Sequence, residues 1–117
     1  MNIGLCLACS ALIASLAASA NAAGPERHQG TCSLLAGNSL TVEDCTIEVS
    51  ANAFSAIYLL TWQSGDTTEI KLSNYGNSVN GEPAVEIPAP ADIEAGSECF
   101  ETRNTKDIYC SKIPGLD

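Results

Sequence analysis

Cysteine and carboxylate are the two reactive side-chain types that this chain carries in number and in recurring local groups. Cys32, Cys45, Cys99 and Cys110 fall into two local pairs, with twelve and ten residues between partners. A zinc site wants close C-x-x-C pairs with further Cys or His ligands, and the single histidine is His28. The spacing therefore predicts two disulfides. Four cysteines allow three connectivities. The pairing Cys32–Cys45 and Cys99–Cys110 is preferred, because each pair brackets turn residues, Gly37-Asn38 in the first and Arg103-Asn104-Thr105-Lys106 in the second. Closing loops of this length stabilises by about 3 kcal/mol each in the chain-entropy account, which matters where the core is small. Oxidised cysteines also leave no thiolate to act as a nucleophile.

The carboxylates cluster at Glu43-Asp44, at Asp66 with Glu69, and at Asp92, Glu94 and Glu98. Hydrolysis by a carboxylate pair needs the two groups to flank a cleft at a defined separation, and a domain this small has little room for one. Asp92, Glu94 and Glu98 are the calcium candidates, since a hard cation collects several oxygens. Their run departs from the twelve-residue calcium loop: the glycine, Gly96, is fifth and no Glu stands twelfth. A solvated acidic loop is the expected reading. The chain has no H-E-x-x-H, no G-x-S-x-G, no phosphate-binding glycine loop and no G-x-G-x-x-G. One histidine in a loose segment supports no triad. No cofactor and no catalytic residue is expected, and a binding role is favoured over an enzyme.

The elements that must position these groups belong to one part of a two-part chain. Of the 117 residues, the first 22 contain no Asp, Glu, Lys or Arg and end Ala20-Asn21-Ala22. An apolar centre followed by a small-x-small triplet reads as a signal peptide cut after Ala22, although its n-region lacks Lys and Arg. The run is too rich in Ala and Ser for a membrane anchor of ~20 strongly apolar residues. The apolar stretch before Cys9 is too short for a lipoprotein signal. Cleavage would remove Cys6 and Cys9 and leave the four paired cysteines in a secreted or periplasmic protein with no stable membrane span.

After the leader, residues 23–30 show no apolar periodicity and read as a flexible arm. Residues 31–117 read as one small acidic β domain. Strands are expected at Thr31 to Leu35 and Ser39 to Ser50. In the second, Cys45, Ile47 and Val49 share one parity while Leu40 and Val42 share the other, so a bulge near Glu43-Asp44 would bury both sets. Ala56 to Gln63 and Thr67 to Leu72 flank the Ser64-Gly65-Asp66 turn, with Thr68, Ile70 and Leu72 on one face. Asn80-Gly81 marks a hairpin between Ser78-Val79 and Ala84 to Ile87, with Val85 and Ile87 facing in. Residues 91–97 form an acidic loop or helical turn, and Glu98 to Glu101 pairs with Asp107 to Ser111. About seven short strands suggest an all-β antiparallel meander closing into a barrel or sandwich.

Phe54, Tyr58 and Trp62 recur every four residues, as on a helix, but they also share strand parity with Leu60. The turn at Ser64-Gly65 favours strand, with the aromatics packed in the core. Fourteen acids against five bases give a net charge of −9, which excludes the cation-rich surface of a nucleic-acid binder. The negative field keeps the protein dispersed, and it would also steer a cationic protein or peptide towards it. Trp62, Asp66 and Glu69 are the candidate contact residues.

The Tyr58-Leu59-Leu60-Thr61-Trp62 strand, Ser64-Gly65-Asp66-Thr67-Thr68, Val79-Asn80-Gly81-Glu82-Pro83-Ala84 and the closing Cys99…Tyr109-Cys110 hairpin together resemble small exported bacterial disulfide-bonded β proteins of unassigned activity. The chain also resembles the periplasmic inhibitors of c-type lysozyme, small disulfide-bearing β-barrels that meet a cationic enzyme. It departs from their Ser-Gly-x-x-Tyr segment, carrying Thr68 in the place of Tyr. The expected function is thus an exported non-enzymatic binding protein. The alternatives are an enzyme inhibitor of that kind, a carboxylate hydrolase or a calcium-binding domain.

Overall fold

The computed structural model describes residues 25–115. The expected leader, residues 1–22, lies outside them, as do residues 23 and 24 of the expected arm. Among the described residues there are eight strands and no helix: β1 (Glu26–Ala36), β2 (Ser39–Ala51), β3 (Ser55–Trp62), β4 (Thr67–Ser73), β5 (Gly76–Val79), β6 (Glu82–Ile87), β7 (Glu98–Thr102) and β8 (Ile108–Lys112). Each strand pairs antiparallel with the next, and β8 returns to β1, so the meander closes into a barrel. Closure removes the two open edges that a sheet of this size would otherwise expose. The disulfides Cys32–Cys45 and Cys99–Cys110 form as expected. Two disulfides are the mark of a chain that folds in an oxidising compartment.

Alternation along the strands sorts the apolar residues into two clusters. Inside the barrel, Cys32, Cys45, Ile47, Leu60, Trp62, Ile70, Val79, Ala84 and Phe100 are buried together. An eight-stranded barrel is just wide enough for such side chains to fill it. Outside it, Ile93, Cys99 and Cys110 are buried with Leu35, Ile87, Ala89 and Ile108 packed around them. The segment 88–97 forms this second cluster by folding back as a strap over the outer face of β6, β7, β8 and β1. One disulfide therefore lies in each cluster.

Four expectations change. The arm is not loose from Glu26 onward: Glu26 to Gly30 pair with Val49 to Cys45 and extend β1. Arg27 fixes this stretch by ion-pairing through its guanidinium with Glu48 across the ladder. Second, β2 has no bulge. Its register with β1 runs unbroken from Glu26↔Val49 to Ala36↔Ser39. With the parity preserved, Leu40 and Val42 stay on the outer face, 41% and 55% exposed. Third, Ala84 rather than Val85 or Ile87 faces the interior, and Ile87 packs beneath the strap. A strand with a covered outer face need not put its larger residues inward. Fourth, β5 extends the short Ser78-Val79 strand back to Gly76.

Local chemistry sets the corners. Asn80 (φ 51°) and Gly81 (φ 83°) both adopt positive φ, the type I′ geometry that suits a two-residue hairpin. Asn80 tolerates it by bonding locally: its N–H donates to the Glu69 carbonyl and its Oδ1 accepts the Glu69 N–H. Gly30 is needed for a different reason. A Cβ there would lie 2.3 Å from the Lys112 carbonyl oxygen and 2.8 Å from Ile47 Cδ1. The missing side chain lets β1 pass close against the end of β8.

Candidate functional site

The barrel has two mouths. The upper one is bounded by the turns 37–38, 63–66, 80–81 and 103–107, and the lower one by 52–54, 74–75, the strap and the two ends of the described chain. The upper mouth opens into a cavity of about 560 Å³ bordered by Leu34, Thr41, Glu43, Trp62, Asp66 and Tyr109, among others. Its lining residues include no Lys, Arg or His. The lower mouth holds about 280 Å³ between Glu26, His28, Tyr58, Glu98 and Ile113.

At the upper mouth the acids differ in their commitments. One oxygen of Glu43 accepts the Ser64 N–H at 2.9 Å, tying β2 to the β3–β4 turn. That turn is closed by Gly65 N–H to the Trp62 carbonyl and Trp62 N–H to the Asp66 carbonyl. The exposed Asp66 carboxylate makes no hydrogen bond or ion pair among the described residues. Tyr109 points its ring at the cavity, and its phenol is held above the ordinary range by burial first, then by the charges of Asp107 and Glu82. Glu82 itself accepts the N–H groups of Asn104 and Thr105, which fixes the β7–β8 turn at the rim.

Trp62 is not a surface contact. It is 5% exposed and lies at the base of the mouth, where its Nε1–H donates to Thr68 Oγ1 at 2.9 Å. The bond satisfies an indole that would otherwise be buried unpaired. Tyr58 and Trp62 do face the interior, as strand parity predicts, whereas Phe54 sits outside on the β2–β3 turn and is exposed. Glu69 projects from the outer face of β4, away from the cavity. Of the three contact candidates, Asp66 lines the mouth, Trp62 forms its base and Glu69 lies outside it.

The lower mouth gathers His28, whose Nε2 lies 3.5 Å from Glu26 Oε1. Tyr58 stands with them, its phenol raised by burial, then by Glu98 and Glu86. No protein-family model, curated protein or solved structure matches this chain. What its site can do must be read from its own groups. Asp92, Glu94 and Glu98 do not converge: among the described residues no three His, Cys, Asp or Glu side chains are grouped as a metal ion requires. Nor does any helix of the described residues have the length and apolarity to cross a membrane. The upper mouth combines an apolar and aromatic base, the hydroxyls of Thr41, Ser64 and Thr67, and the uncompensated carboxylate of Asp66.

What the sequence missed is Glu43, Tyr109 and Asn80 as partners of Asp66. Each lies on a different strand or turn: Glu43 and Asn80 flank the β3–β4 hairpin through sequential strand pairing, and closure of β8 on β1 brings in Tyr109.

Proposed function

We propose that this is an exported binding protein, secreted or periplasmic, that takes a cationic protein or peptide at the upper mouth of its barrel. The observation that carries the reading is the mouth itself: Glu43 and Asp66 on the rim of a cavity of about 560 Å³ with no cationic side chain lining it. A net charge of −9 adds long-range steering of a positive partner. Mechanistically, Asp66 supplies the charge, Tyr109 offers aromatic surface to an alkylammonium or guanidinium, buried Trp62 forms the floor beneath it, and the fixed turns keep the site preformed. No bond is made or broken.

The test is binding of fluorescent oligo-lysine to the purified oxidised protein across a salt series. Micromolar binding that weakens as salt rises, and that Asp66→Asn weakens about fivefold, is expected. Absence of binding at low salt, or binding indifferent to salt and to Asp66→Asn, overturns the reading. One observation favours a narrower version: the Ser64-Gly65 turn, which keeps the Ser-Gly of the lysozyme inhibitors' segment although Thr68 replaces its Tyr, stands on the acidic rim. In that version the protein slows lysis of cell walls by a c-type lysozyme at equimolar concentration.

A further inference from the structure

The β1–β2 hairpin outgrows its neighbour on one side. β3 pairs with β2 only from Cys45 to Ala51, and beyond it the Gln63 N–H donates to the Asp44 carbonyl. In an antiparallel strand successive residues turn their N–H and C=O groups to opposite sides. Since Asp44 faces β3, Val42 and Leu40 turn theirs the same way, past the point where β3 has ended. No backbone bond from the 63–66 turn reaches them. Leu40 and Val42 are thus exposed twice, through their side chains on the outer face and through their backbone on an unpaired edge.

Sheet proteins guard such edges with Lys, Pro or a bulge. Ser39 to Glu43 contains no Lys and no Pro, the register shows no bulge, and its one charge, Glu43, guards against an acidic strand but not a cationic one. The same edge borders the upper cavity, where Thr41 and Glu43 face inward beside Asp66.

We infer that the edge Leu40–Val42 is a strand-addition site, and that the ligand of the mouth is an extended cationic segment that pairs with it. The inference rests on the binding reading above and specifies its geometry. An added strand alternates its side chains as β2 does. On the inner side, next to Thr41 and Glu43, Lys or Arg residues meet the carboxylates of Glu43 and Asp66. On the outer side, apolar residues lie against Leu40 and Val42. Charge selects this occupant over a second copy of the chain, which would bring another −9 to an edge already flanked by Glu43 and Asp44.

The probe is an alternating Lys-Val peptide of about ten residues, compared with two copies N-methylated on one or the other set of alternate amides. Strand addition predicts that one methylated copy loses tenfold or more in affinity and the other little. It predicts that the Leu40 and Val42 amides gain protection from hydrogen exchange on binding. Val42→Pro removes only an outward N–H, which an edge strand tolerates, so it should weaken the unmethylated peptide about tenfold in a protein that keeps both disulfides. Equal affinity of all three peptides, or unchanged exchange at Leu40 and Val42 with salt-sensitive binding retained, overturns strand addition while leaving the cationic mouth standing. Failure of the unmethylated peptide and of oligo-lysine alike removes the reading beneath it. Concentration-dependent protection of those amides without peptide would give the edge to a second copy and also overturn the proposal.

Discussion

The β1–β2 hairpin overhangs the barrel at both ends, and the two overhangs are treated oppositely. At the lower end β1 runs past β8, which pairs with it only from Thr31 to Leu35. There Gly30 lies hard against the Lys112 carbonyl, Ile113 packs onto the interior cluster, and Lys112 Nζ donates to the Ala95 carbonyl of the strap at 2.8 Å. The protein's own chain closes that overhang at its base, at Gly30, while Glu26, Arg27 and Gln29 beyond it are exposed. At the upper end β2 runs past β3 and nothing among the described residues covers the edge, while the acidic mouth opens beside it. The lesson is that similar lengths of excess strand can be spent on closing the barrel or on leaving a surface for a partner.

The disulfides separate the two roles most strongly. They close loops of similar size, at sequence separations of 13 and 11, so loss of either should cost about 3 kcal/mol in urea unfolding. Their positions differ. Cys32–Cys45 staples the hairpin just under the upper overhang, so Cys32→Ala/Cys45→Ala should also weaken oligo-lysine binding severalfold at temperatures where the variant is folded. Cys99–Cys110 lies beneath the strap, so Cys99→Ala/Cys110→Ala should bind as the parent does. Equal loss of binding in both would erase the distinction between the ends.

A smaller effect comes from changes of one or two carbons on the same hairpin. Gly30→Ala places a carbon against a backbone carbonyl that cannot rotate away. It should cost about 2 kcal/mol, within the range for overpacking. Val42→Ala at the open end should change stability by no more than about 0.5 kcal/mol, as for exposed sites generally. The pair of unfolding midpoints checks this directly. A tolerant Gly30 would mean that the lower overhang is not held shut.

This contrast also marks what could be read before folding. Strand positions, the Asn80-Gly81 hairpin and both disulfides were legible, because alternation, turn chemistry and loop length are local. The pairing of the arm is hidden because Glu26-Arg27-His28-Gln29 reads as solvent-facing chain. The arm pairs because β2 is long enough to receive it and Glu48 stands opposite Arg27. The bulge was expected on the premise that Leu40 and Val42 must be buried. Their exposure follows from an unbroken register, which sequence parity alone could not prefer over a fault. The outer cluster was invisible for a related reason: Val85 and Ile87 alternate as an inward face would, and only the strap shows which side is covered. Of the site, Asp66 was legible as an acid at a turn. Its neighbours Glu43 and Tyr109 were not: Glu43 reaches it across the β2–β3 pairing, and Tyr109 only through the closure of β8 on β1.

The finest test uses the two half-buried tyrosines as reporters, one at each mouth. Both phenols are raised, by burial first, and then at Tyr109 by Asp107 and Glu82, and at Tyr58 by Glu98 and Glu86. A phenol whose folded pKa exceeds its unfolded value keeps its full contribution to stability below about pH 10. That contribution is lost as pH rises through the folded pKa, because the unfolded chain releases the proton first. Alkaline unfolding should therefore be blunted in both Tyr58→Phe and Tyr109→Phe. The ends diverge when the mouth is filled. Oligo-arginine, which stays charged at that pH, would place cations beside Tyr109 and favour its phenolate. The ultraviolet titration of Tyr109, read in the Tyr58→Phe/Tyr75→Phe background so that exposed Tyr75 does not contribute, should move to lower pH by a few tenths of a unit. Tyr58, read in Tyr75→Phe/Tyr109→Phe, should not move. A shift at Tyr58 instead would place the cation at the lower mouth, beside Glu98 and Glu86, and would reverse the assignment of the two ends.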